Sequence, residues 1–96
     1  MAELVLTSPG EHSLRSLVEA ALHNELRLLQ AGIHRTEQRL QAFEAQYSMS
    51  SAAFVQRYEN DELQETLDFA EWVGEYRLLE RLREKAETLQ NIHIEN

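Results

Sequence analysis

EHSLRSLVEAALHNELRLLQAGIHRTEQRLQAFEAQ, from Glu11 to Gln46, decides the fold. Its apolar residues run Val18, Leu22, Leu26, Leu29, Ile33, then Leu40 and Phe43, and the row continues to Tyr47. Steps of three and four place these side chains on one stripe of a helix, with Thr36 as a polar interruption. Beside it lies a second stripe of Leu14, Leu17, Ala21 and Leu28. The apolar face is therefore wide at the N-terminal end and narrow at the other. A wide face calls for more than one packing neighbour. Gly32 costs about 1 kcal/mol relative to Ala in mid-helix, and either a close helix crossing or nothing in particular explains it.

Downstream, Ser50 has the character of an N-cap, because its hydroxyl can accept from a free amide of the next turn. Met49 before it and Phe54 inside it form a hydrophobic staple. A short helix over Ser51–Tyr58 follows, ended by Asn60 and Asp61. The last helix starts between Asp61 and Leu67, with Asp61 and Thr66 as competing caps, and runs to about Gln90. Phe69, Trp72, Val73, Tyr76, Leu79, Leu82, Ala86 and Leu89 keep its spacing at three or four. Gly74 stands next but one to Trp72, where a side chain could collide with a neighbour.

The expected fold is all-α: an antiparallel helical hairpin of long helix, short linking helix and long helix, coiled-coil-like, with room for short strands at the termini. Residues 1–10 are a flexible or strand-forming segment, 11–90 the hairpin, and 91–96 a tail. The N-terminal ELVLT and the terminal NIHIEN alternate weakly. A lone strand needs a partner, so the first would pair with another chain. The two long helices span roughly 54 and 36 Å at 1.5 Å per residue. The longer one overhangs, and its wide N-terminal face needs a second chain, which predicts a homo-oligomer or a complex with a different protein. Val18, Leu22, Leu26, Leu29 and Ile33 are the candidate dimer or packing residues.

Composition bounds the function. A chain of 96 residues, 43% hydrophobic, with one Pro and three Gly, is one helical domain. Having no Cys, it carries neither a disulfide framework nor a thiolate metal site, and it fits a cytoplasmic location. No apolar run reaches the length of a membrane span, and the acidic start lacks the basic segment of a signal peptide. The net charge of -8 makes direct nucleic-acid binding a poor fit, since that depends on clustered Lys and Arg. A basic protein surface suits it better.

Little in the chain suggests chemistry. His12, His23 and His34 recur every eleven residues. They share a face but stand about 16 Å apart along the helix, too far to hold one ion. From Glu59 to Glu75 the chain carries Glu59, Asp61, Glu62, Glu65, Asp68, Glu71 and Glu75, with no Arg or Lys among them. Negative charge at a helix start is favourable through the helix dipole, and the same acids offer a docking patch for a basic partner. No Glu-x-x-His motif of a di-metal bundle is present. The expectation is no catalysis, no metal and no cofactor. Further along, Glu80–Arg83 and Arg81–Glu84 are spaced to support the helix weakly. Phe69, Trp72 and Tyr76 suit core packing first and an interface second. The candidate partner-binding set is Asp68, Phe69, Glu71, Trp72, Glu75 and Tyr76.

The stretch FEAQYSMSSAAFVQRYENDELQETLDFAEWVGEYRLLERL resembles small helical prokaryotic proteins proposed to be antitoxins, encoded beside a small toxin of the TumE type. The likeness lies in Phe43, Tyr47, Met49-Ser50 and Phe54, then Glu62-Leu63, then Asp68-Phe69 and Glu71-Trp72. It extends upstream through LVEAALHNELRLLQAGIHRTEQRL and covers most of the chain. It implies a toxin–antitoxin role in which direct contact neutralises a partner, a short turn after the first helix, and no catalysis; the acidic last helix makes a basic toxin the expected partner. ELVLTS before a helix also has the layout of a ribbon-helix-helix DNA binder. The first helix lacks that fold's turn and the strand lacks basic residues, so DNA binding is not predicted. The second reading is a structural coiled-coil adaptor or assembly subunit unrelated to a toxin.

Overall fold

The computed structural model describes residues 2–5 and 11–95. The chain runs β1 (Ala2–Val5), α1 (Glu11–Tyr47), α2 (Ser51–Glu59), α3 (Leu67–Gln90) and β2 (Ile92–Glu95). It is an antiparallel helical hairpin in which α1 packs along α3 and α2 closes one end. The caps are those the sequence indicates. Ser50 Oγ accepts from Ala53 N–H at 3.2 Å and opens α2. Thr66, rather than Asp61, opens α3, its Oγ1 accepting from Phe69 N–H at 3.1 Å. Ser48 leaves α1 in the left-handed region at φ 52°, and Asp61 does the same beyond α2 at φ 56°.

The core is lopsided. Leu40, Phe43, Phe54, Val55, Trp72, Val73 and Leu79 form one buried cluster where all three helices meet. Met49 packs against it, completing the staple with Phe54. Towards the other end only two helices are present, and Leu29 and Ala86 are the buried apolar residues there among those described. Thr36, the polar interruption, is buried within the seam. Val18, Leu22, Leu26 and Ile33 are half-buried, and Leu22 and Leu26 share a groove with Leu89 and Ile92. The first stripe thus serves the hairpin, inside one chain. Gly32 lies against α3, where an added Cβ would stand 3.5 Å from Leu82 Cδ1. Gly74 corrects the expectation from sequence: a Cβ there would meet nothing within 4 Å.

The molecule is a rod of 60 × 22 × 17 Å with a radius of gyration of 18.8 Å. A compact chain of this length would have a radius near 12 Å, or about two thirds of that. The hairpin returns the end of α3 to the N-terminal half of α1. The flanking strands consequently meet each other: β1 and β2 pair in parallel, Ala2 with Ile92 through Val5 with Glu95. The first strand needs no other chain, which corrects the expectation above. Thr7, the last residue of the expected strand, lies outside the described residues, as does Asn96 in the tail.

Candidate functional site

The acidic cluster lies at the thick end of the rod, so its geometry begins with the aromatic residues beneath it. Trp72 is fully buried. Phe54 stacks on it with ring centroids 3.9 Å apart and planes 3° from parallel, and Phe43 lies at 5.5 Å and 12°. Tyr47 adds a third ring at 5.6 Å. The indole N–H donates to Ser51 Oγ at 2.9 Å. Ser51 is itself buried, and its N–H donates to Glu44 Oε2 at 2.8 Å. Two side chains from α1 and two from α2 therefore fix the indole of α3, and no buried side-chain polar atom among the described residues lacks a partner.

Most of the acids are tied down around this core. Tyr47 O–H donates to Asp68 Oδ2 at 2.5 Å, and Gln46 Nε2 reaches the same oxygen at 3.5 Å. Tyr58 O–H donates to Glu65 Oε1 at 2.6 Å. Arg39 pairs with Glu71 across the hairpin, Arg57 with Glu62 at 3.6 Å, and Arg77 with Glu59 at 3.5 Å. Both phenols are held above their ordinary titration range, chiefly because each donates to a carboxylate, with partial burial and the carboxylate's charge acting in the same direction. Arg77 opposes the effect at Tyr58.

This arrangement divides the partner-binding set. Trp72 is core and cannot reach another molecule while the hairpin is intact, which corrects its inclusion. Phe69 is half-buried against Phe54, with centroids 5.1 Å apart. Tyr76 is half-buried against the same cluster. Asp68 and Glu71 join the helices while keeping part of their surface in water, and Glu75 is half-buried. A residue outside the set is more prominent: Leu67 is 86% exposed. Ala70, Glu71 and Gly74, three, four and seven places on, are exposed along the same side. In the chain Leu67 follows Glu65-Thr66 and precedes Asp68, so this exposed leucine has acidic sequence neighbours. Its signal in the sequence was phase, because it falls off the row of Phe69, Trp72, Val73 and Tyr76.

The second stripe of α1 is the other open apolar surface. Leu17 is 69% and Leu28 55% exposed, Ala21 is exposed, and Leu14 is half-buried. The distal charges pair differently from the spacing expected in sequence. Arg83 reaches Glu37 on α1 at 2.8 Å, because the hairpin places a carboxylate nearer than Glu80. Neither Glu80–Arg83 nor Arg81–Glu84 forms an ion pair among the described residues. His23 and His34 are exposed. Among the described residues no group of three or more His, Cys, Asp or Glu side chains could hold a metal ion. No helix among them is long and apolar enough to cross a membrane.

No family model, curated protein or solved structure matches the chain. The geometry therefore carries the functional argument: an acidic end bearing one exposed leucine, and an apolar stripe along a thin rod. Both are surfaces suited to contact with another protein.

Proposed function

We propose that this chain is an antitoxin-like protein-binding module that neutralises a basic partner toxin by direct contact at the acidic end of the hairpin. The observation that carries the reading is the exposure of Leu67 between Glu65 and Asp68, where α3 begins. An apolar anchor beside acidic residues gives a partner both contact area and electrostatic steering. The carboxylates Asp68 and Glu71 that join the helices are held in place by Tyr47 and Arg39. The net charge of -8 favours a basic toxin, and the resemblance to antitoxins encoded beside TumE-type toxins supplies its class. The reading assigns the chain no catalysis and no cofactor, and locates both proteins in the cytoplasm.

Co-expression with the product of the adjacent gene tests the proposal. The two proteins should co-purify, and the chain should restore growth to cells making the partner. Leu67→Arg should abolish both effects while leaving the helical content unchanged. Failure of the wild-type chain to associate and to restore growth overturns the reading. The second reading, a coiled-coil assembly subunit unrelated to a toxin, is favoured by the open stripe on α1. A genomic neighbourhood without a toxin-like gene would support it.

A further inference from the structure

The open stripe on α1 has a spacing that specifies its occupant. Leu14, Leu17, Ala21, Asn24, Leu28 and Ala31 follow steps of three, four, three, four and three. This is the a/d alternation of a coiled-coil seam, so a helix fits it. α3 does not fill it. Leu17, Ala21, Asn24, Leu28 and Ala31 are all exposed. Arg35 and Arg39 follow on the same face, so the apolar part ends after Ala31.

We propose that a second copy of this chain covers the seam, its α1 running antiparallel to the first. The seam is complementary to itself in that direction. Antiparallel coiled coils set each a position against a d position, and one two-fold axis satisfies all six residues here. Leu14 then meets the partner's Ala31, Leu17 meets the partner's Leu28, and Ala21 meets the partner's Asn24. Long side chains at the ends face short ones, and the two leucine pairs flank a small centre. The overlap extends about 26 Å at 1.5 Å per residue.

Charge selects the same arrangement. Glu25 and Arg27 border the seam on opposite sides. In the antiparallel alignment Glu25 lies beside the partner's Val18 and Arg27 beside the partner's Ala20, so no like charges meet. A parallel pairing would stack Arg35 on its own copy, where repulsion is costly. Next to the seam on the Glu25 side is a groove of about 510 Å³ with Leu29 and Leu89 in its floor. Glu25, Glu84, Arg81 and Lys85 line its walls, so acids and bases are balanced there. Around α1 the order is Leu28, Glu25, Leu29, and a two-fold axis through the seam brings the two grooves to the same side. The pairing gives each α1 a helical neighbour along its thin end, supplying there the thickness that the hairpin lacks.

This inference is independent of the toxin reading. Sedimentation equilibrium of the full chain should give twice the 11.2 kDa mass of one chain. Leu17→Glu and Leu28→Glu should each reduce it to one chain without loss of helical circular dichroism. A wild-type monomer at tens of micromolar overturns the proposal, and so does a dimer that neither substitution dissociates. Orientation has its own test, because the chain lacks Cys and any introduced thiol is unique. An equimolar mixture of Leu17→Cys and Leu28→Cys chains should oxidise to the mixed dimer, with little L17C–L17C product. Dominant L17C self-crosslinking would establish parallel pairing and overturn the antiparallel assignment. The crosslinking result stands whether or not the Glu variants keep their helicity.

Discussion

The indole N–H of Trp72 on α3 donates to the hydroxyl of Ser51 on α2 across 2.9 Å, and both residues are buried. That bond fixes how α2 caps the hairpin. The ring of Phe43 on α1 stacks against the same indole, so all three helices meet at one side chain.

Ser51→Ala leaves the indole donor buried without an acceptor, a loss of about 1–3 kcal/mol. Trp72→Phe removes the donor together with part of the packing. The two effects should not add, because each removes one half of the same bond. Urea denaturation of both single variants and the double variant measures the coupling. Strict additivity would show that the bond does not stabilise the fold.

Gly74→Ala should stabilise the protein by about 1 kcal/mol, the helix-propensity difference, since the new methyl meets no neighbour. For a chain of this size that raises the Tm by roughly 4–8 °C. Thermal unfolding checks it, and a lowered Tm would mean that α3 does not pass through Gly74 as an uninterrupted helix.

Ser48 is the reverse case. Its φ of 52° suits glycine better than a residue carrying a side chain. Ser48→Gly should add about 0.5–1 kcal/mol despite the greater freedom of glycine in the unfolded chain. The midpoint of chemical denaturation should rise with no change in slope.

Alkaline pH should weaken the acidic end. Hydrogen bonding to Asp68 raises the Tyr47 pKa and hydrogen bonding to Glu65 raises that of Tyr58. A raised folded-state pKa means that the protonated phenol is the stabilising form. Its contribution is complete below the unfolded value of about 10 and is lost as pH climbs through the higher folded-state value. Tm followed from neutral pH into that range should fall. The Tyr47→Phe, Tyr58→Phe double variant should fall less steeply; an equal slope would refute the assignment.

Leu67 separates binding from folding. Because it is 86% exposed, Leu67→Arg should change stability by less than about 0.5 kcal/mol. On the proposed reading, the same substitution should weaken binding of the partner toxin at least tenfold, read by calorimetric titration. Unaltered affinity would move the contact away from this end of the rod.

Helical phase and capping are local interactions, and they were legible residue by residue. The three- and four-residue steps of α1 and α3 place their seam faces, and Ser50 and Thr66 accept from the amides three residues on. The terminal strands show what local reading misses: their alternation was visible, but their pairing depends on a hairpin that joins residues 2–5 to 92–95. The candidate site divides in the same way. The sequence by itself determined three helices, an acidic start to α3, and two apolar stripes on α1. Tertiary structure alone decided that α3 takes the first stripe and leaves the second open, that Trp72 turns inward, and that Leu67 stays in water. The reason is rotational: a helix carries its own phase in its sequence, but which face meets a partner some thirty residues away depends on how the two helices turn about each other. Arg39 and Glu71, thirty-two positions apart, meet because of that rotation.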